Sequence, residues 1–380
     1  VAIGSFALTT QNFTTATNGY NTAVGYATGS NITTGTINTL VGGLAGDALT
    51  EGNSNTVVGY DALGAETLGD RNVAVGNAAL KNQNNTTDTD VYNVAVGYYA
   101  GLSINTGVQN TIVGGLAGDA LTTGFNNVVM GYNALSTENT GRKNVAIGVS
   151  SLNLQDNDTD NFNTAVGFES GKNVSTGVQN TILGANSGDS MTGANDNTAL
   201  GYLALRTMQG GSRNVAVGRS ALQLANTTTV TDTYNTAVGA LAGLSVSGGT
   251  NNTLIGGQAG DTITTGNNNV IIGYAADVTT NLSQAIVIGE GVGGGSNTVT
   301  FGSSSNKITS TFIGTPNWAH SSDERLKKNI EDVPIGLNFI NDLRPVIYNW
   351  KGNHELDSSD KELEHLYKEN EEDNVFDTTT

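Results

Sequence analysis

A phrase of the form Asn-x-apolar-apolar-Gly returns about every 17 residues along most of the chain, and that spacing constrains the fold more than any other feature. It reads "NTAVG" ending at Gly25, "NTLVG" at Gly42, "NTVVG" at Gly59 and "NVAVG" at Gly76. It continues at Gly97, Gly114, Gly131, Gly148, Gly167, Gly184, Gly201, Gly218, Gly239, Gly256 and Gly273. The opening "VAIG" is a further copy without its Asn, so we expect more chain before it. A helical-pair repeat needs about 33 residues or more. Seventeen suit one coil of a β-solenoid. The apolar pair supplies a short strand, and the closing Gly permits positive φ or close backbone approach at a corner. The Asn can cap a turn or form a ladder with its equivalents above and below. Parallel coils rise about 4.8 Å each, so some seventeen would span roughly 80 Å.

A second period lies over the first. Four spacings exceed 17 residues, and Gly25, Gly97, Gly167 and Gly239 lie 72, 70 and 72 residues apart. Four coils therefore make one duplicated block. The fourth coil holds an insertion, as in "KNQNNTTDTDVY", "NLQDNDTDNF" and "QLANTTTVTDTY". The second coil holds a recurrent Gly-Asp pair with Asp47, Asp119, Asp189 and Asp261. Calcium rolls need an acidic ligand in every coil, whereas this Asp recurs once in four, so turn capping is the expectation and no metal or cofactor is assigned. The insertions read as solvated loops or as receptor-contacting knobs.

Composition narrows the function classes. The net charge of −18 leaves no basic surface for nucleic acid or anionic membranes. There is no Cys for disulfides or thiolate chemistry, and no apolar run long enough to span a bilayer. The Asn-x-apolar-apolar-Gly phrases, such as "NTAVGYATG" and "NVAIGVSSL", resemble the head repeat of trimeric autotransporter adhesins over residues 1–290. That resemblance implies a left-handed parallel β-roll trimer, although the coils here are longer than that family's. A single coil of Ala, Val, Ile and Leu encloses little volume, so we expect three chains to share one core.

The language changes at "NWAHSSDERLKKNI". Residues 1–310 hold 9 basic and 19 acidic residues, and residues 311–380 hold 7 and 15, a several-fold rise in charge density. Ser and Asp open a helix with Leu326 and Ile330 one turn apart, and Pro334 closes it. A second short helix is expected at 336–343, a strand at 344–351 and a charged helix beyond. The matches Ser322, Asp323, Leu326, Lys327, Asn329, Ile330, Leu343, Pro345, Val346, Tyr348 and Trp350 resemble the endosialidase-type intramolecular chaperone auto-processing domain of phage tail spikes and fibres. The later "GFIAQE"-like segment is absent, so the domain reads as truncated. The resemblance implies that Ser322 is the nucleophile, that Lys327 is its general base, and that the cut falls between Ser321 and Ser322. By itself "SSDE" reads as a helix cap. Five residues place Lys327 about 140° away from Ser322 on an ideal helix, so a dyad needs the cap to bend back or another chain to supply the Lys. Ser321 leaves the assignment open by one residue. His320 reads as a connector residue or an aid to catalysis.

These readings give an all-β fold: a parallel β-solenoid or β-roll of about 17-residue coils, in a left-handed trimer, followed by a small α+β chaperone segment. The expected divisions are 1–273 for the repeats, 274–302 for degenerate terminal coils, 303–319 for a connector and 320–380 for the chaperone segment. The leading functional expectation is a homotrimeric bacteriophage fibre or spike in the virion. Its partners would be itself, other tail or neck proteins, and a host cell-surface glycan or protein receptor. There is no expected nucleic-acid partner or membrane insertion, and any enzyme activity is limited to self-cleavage. A bacterial cell-surface trimeric adhesin is the alternative. A polysaccharide depolymerase would need carboxylates clustered in a groove, and those of the roll recur singly.

Overall fold

The computed structural model describes residues 1–278 and 281–312, and the backbone of 319–320. The chain divides into two units, Val1–Ser321 and Ser322–Thr380, and the described residues all lie in the first. Every regular element among them is a β-strand, so no described helix crosses a membrane. About 18 coils stack as a parallel solenoid. Each repeat strand is three residues long and pairs in register with its equivalent one coil away, as Thr39–Val41 does with Thr22–Val24 and Thr56–Val58.

The coil beginning at Asn38 shows how sequence becomes cross-section. Alternation along the strand sends Leu40 inward and leaves Thr39 and Val41 outside. The chain then turns at Gly42 and passes left-handed residues at Leu44 and Gly46. Ala45 and Leu49 come back to the interior, where both are fully buried beside Ile32 and Val57. Three inward side chains per coil suffice for a continuous core inside one chain. These residues are therefore buried within their own chain, without the sharing among three chains that coil composition led us to expect. The physical reason is the coil length, which gives a second and third inward position beyond the strand.

The interior also holds a column of Asn. The Asn38 backbone N–H donates to Asn21 Oδ1 at 2.9 Å, and its Nδ2 donates to the Gly52 carbonyl at 2.8 Å. Asn55 repeats both bonds against Asn38 and Gly69. The ladder runs on through Asn180 and Asn197 to Asn269. Most of these buried amides are thereby matched to backbone groups that the turning chain cannot pair by itself; Asn72 Oδ1 and Asn144 Nδ2, in the coils just before two insertions, have no partner. At two of the three insertions the spacing slips and a Gln enters to compensate. Asn93 Nδ2 donates to Gln83 Oε1 at 2.9 Å, and Asn163 Nδ2 donates to Gln155 Oε1 at 3.0 Å.

The corner glycine is required for two reasons. Gly114 has φ +137°, and a Cβ there would stand 2.5 Å from the Gly131 carbonyl oxygen in the next coil. Gly115 has ordinary backbone and its nearest contact would be the Tyr132 ring at 3.6 Å. Gly114→Ala should therefore destabilise the protein by about 3 kcal/mol or more. Gly115→Ala should change stability by only about 0.5 kcal/mol. Urea unfolding of the two variants checks the contrast, and equal midpoints would sink it.

Parallel stacking persists beyond Gly273. Ile272 pairs with Ile288, and Ile288 with Phe301. The Lys307–Thr311 strand then folds back antiparallel on Thr298–Ser303, and Ala319–His320 pairs antiparallel with it. Reversal of direction ends the stack, because a further parallel coil would need the edge that this hairpin occupies.

Candidate assembly interface

The sheet presents two outward columns. In the first, Thr22, Thr39, Thr56, Val73 and Val94 lead through Thr236, Thr253 and Val270 to Ile286 and Val299, and every residue is Thr, Val or Ile. In the second, Ile3, Val24, Val41, Val58, Val75, Val96, Val113, Met130, Ile147 and Val166 are followed by Leu183, Leu200, Val217, Val238, Ile255, Ile272, Ile288 and Phe301. Neither column contains a charge or a break. The second is solvent-facing, with Leu183 42% and Met130 40% exposed, and the first is exposed or half-buried, as at Thr39 and Thr22. Parallel sheets are normally covered on both faces, and this one has apolar residues on both. A continuous outward apolar stripe of roughly 80 Å marks a surface that something covers.

Aromatic residues flank the stripe. Just beyond the corner glycine stand Tyr26, Tyr60, Tyr98, Tyr132, Phe168, Tyr202 and Tyr274, all more than half exposed. On the other edge, Tyr92, Phe162 and Tyr234 recur once per block, each stacked by a cation from the preceding coil. The Arg71 and Arg213 guanidinium carbons lie 5.6 and 5.5 Å from the Tyr92 and Tyr234 ring centres, and Lys143 Nζ lies 4.9 Å from that of Phe162. The same cations pair with Asp90, Asp160 and Asp232 of the insertions. Each insertion is thus pinned to the preceding coil by a cation, a carboxylate and a ring, with Arg142 joining Lys143 on Asp160, and the first and third insertions add a short parallel strand pair. An apolar centre with aromatic edges and no unpaired charge in its outward columns has the make-up of a protein interface.

Beneath two insertions lies a buried carboxylate. Glu66 Oε1 accepts the Gly69 N–H at 2.8 Å, and Oε2 accepts Gln83 Nε2 at 2.8 Å and Asn85 Nδ2 at 2.9 Å. Glu138 Oε1 accepts the Gly141 N–H at 2.7 Å, and Oε2 accepts Asn161 Nδ2 at 3.0 Å. Burial pushes the Glu138 carboxyl above its usual range, while the Gly141 N–H pulls it down. In the third block Met208 and Ala225 take the equivalent places, both buried, so the site accepts an apolar solution as well. Carboxylate oxygens of Glu138, Asp156 and Asp158 lie within 4.8 Å of one another. Glu138 is already committed to N–H donors there, as Glu66 is in the first block.

Asp47, Asp119, Asp189 and Asp261 each occur once per block, so about 19 Å separates successive ones and the fold does not bring them together. Burial raises the first three above the usual carboxylate range; backbone N–H groups at Asp47 and Ala48, and at Asp119 and Ala120, oppose it. Ser321, Ser322 and Lys327 lie outside the described residues, as do the expected helices and the 344–351 strand. His320 is described in its backbone alone, paired opposite Ile308.

The apolar pair reads in the sequence only as a short strand and does not by itself announce an outward column. Strict alternation between Asn and Gly already assigns one member of each pair to the outside. The buried Glu had no such signal: "AET" and "TEN" look like polar turn.

Residues 322–366 match the family described as the chaperone of endosialidase. No curated protein and no solved structure matches the chain.

Proposed function

We propose that this chain is the fibre or spike protein of a bacteriophage virion, working outside the cell as a trimer whose assembly is guided by its C-terminal segment. The observation that supports this is one chain holding both an uncovered apolar face along a solenoid and a segment similar to the chaperone of endosialidase. The two features answer each other. Three copies of the face, packed about an axis, would cover one another's outward Val, Ile, Leu and Met. Repeats of equal spacing also pair in many registers, each slipped by whole coils or blocks. A local trimerisation segment would fix one register before the long stripe zips. Its removal afterwards would leave a trimer that unfolds slowly.

The removal is part of the same reading. Ser322 Oγ would attack the Ser321 carbonyl carbon while Lys327 takes the hydroxyl proton. The peptide C–N bond breaks as that proton passes to the leaving Ser322 nitrogen, and water then opens the resulting ester. Lys327 can act as a base where burial or a neighbouring cation lowers its pKa. Electrophoresis and mass spectrometry of the full-length protein, wild type against Ser322→Ala, test it. Wild type should lose the segment that begins at Ser322, and the variant should keep it. Wild-type chains of undiminished mass would refute self-processing, and a wild type that is monomeric by light scattering would refute the trimer.

A further inference from the structure

One surface feature breaks the repetition. A cleft of about 280 Å³ opens on the turn segments past three successive corner glycines, Gly59, Gly76 and Gly97, beyond the edge of the outward stripe. Tyr60 and Tyr99 line it from the first and third of these coils, and Asn77, Asn82, Asp61 and Lys81 supply its polar groups. Tyr99 is backed by Tyr98, with ring centres 3.9 Å apart and planes 17° from parallel. Lys81 Nζ and Asp61 Oδ2 are 2.8 Å apart.

The duplicated blocks provide an internal comparison. Where this cleft has Asp61, Lys81 and Tyr99, the positions one block on are Asn133, Asn153 and Glu169, and those two blocks on are Leu203, Gln223 and Leu241. Those coils stack with the same parallel register, so the fold does not require the set in this cleft. Tyr60 alone is shared, as Tyr132 and Tyr202.

We propose that this cleft binds a neutral pyranose residue of a glycan. Two aromatic sides offer stacking faces to the C–H face of a sugar ring. Asn77 and Asn82 each carry a donor and an acceptor on one side chain, which suits hydroxyl groups that are also both. The Asp61–Lys81 pair is already compensated, so it can bond hydroxyls without demanding a charged ligand. A chain of net charge −18 also repels anionic sugars. A shallow aromatic cleft with a few fixed polar groups accommodates one ring rather than a deeply buried ligand. The attachment role proposed above gains a ligand class from this site, which rests on that reading for its biological meaning alone.

The test is saturation-transfer NMR on the full chain with the methyl glycosides of glucose, galactose and mannose as probes. At least one should receive saturation at its ring protons. Tyr60→Ala and Tyr99→Ala should each weaken binding by about tenfold. Gln223→Ala, at the equivalent of Lys81 in the third block, should leave it unchanged, and Lys81→Gln should weaken it with the same melting curve as wild type. No transfer to any of the three glycosides would overturn the proposal, as would transfer that persists in a Tyr60→Ala/Tyr99→Ala protein. Oligomeric mass, measured on the same samples, reports separately on the assembly reading.

Discussion

Met130→Lys should turn the trimer into a monomer without unfolding the chain. Met130 occupies the outward apolar column midway along the roll and is 40% exposed in the single chain. If three copies pack through that column, the substitution places an uncompensated charge in each buried contact, at a cost of about 3–5 kcal/mol per chain. The like charges of neighbouring copies add to it. The core should survive, because Val129 on the inward side is buried within its own chain. Light scattering should give a mass near one chain instead of three, with an unchanged far-ultraviolet circular dichroism spectrum. Met130→Leu and Gln258→Lys, the latter on a turn away from the column, should both remain trimeric. A trimeric Met130→Lys protein would show that the stripe is not the contact surface.

Asn180→Ala should produce the second large effect, now inside the coil. Asn180 Nδ2 donates to the Ala194 carbonyl at 2.8 Å, and its Oδ1 accepts the Asn197 backbone N–H at 3.0 Å. The residue is fully buried, so truncation leaves both backbone groups dry and unpaired. Each such group costs about 1–3 kcal/mol, so a loss of about 2–6 kcal/mol is expected. Coils of a solenoid interact chiefly with their neighbours, so the damage should be local. Hydrogen exchange should speed up at Asn197 and in the adjoining coils and much less near Asn55. Unchanged protection at Asn197 would mean that water or another donor replaces the ladder at little cost.

These two sites also show how far the residues alone could be read. The Asn column was anticipated as a ladder or a cap, and the structure makes it a ladder. The corner glycine was expected to give positive φ or close approach, and Gly114 does both. Side-chain polarity was a poorer guide. Glu66 and Glu138 read as surface, yet the insertions fold over them and supply N–H donors from distant positions. The aromatic residue two positions after Asp90 or Asp232 gave no hint of its cationic partner, because about twenty residues separate them in sequence and one coil separates them in space.

The amino-acid sequence by itself determined the coil length, the four-coil block, the parallel in-register stack and the Asn ladder. Equal spacing is enough for these, since every residue meets its own equivalent one coil away whatever the cross-section. Only the tertiary structure decided what each coil encloses. Where the left-handed corners fall sets which side chains turn inward, and that choice gave each chain its own core at Leu40, Ala45 and Leu49. The same choice left Val41 and its equivalents outside, and set Tyr60 and Tyr99 on either side of one cleft. Spacing along a chain fixes neighbours along the stack; the inside and the outside are settled by corners that residues of ordinary type, such as Leu44 and Ser54, adopt only in the folded coil.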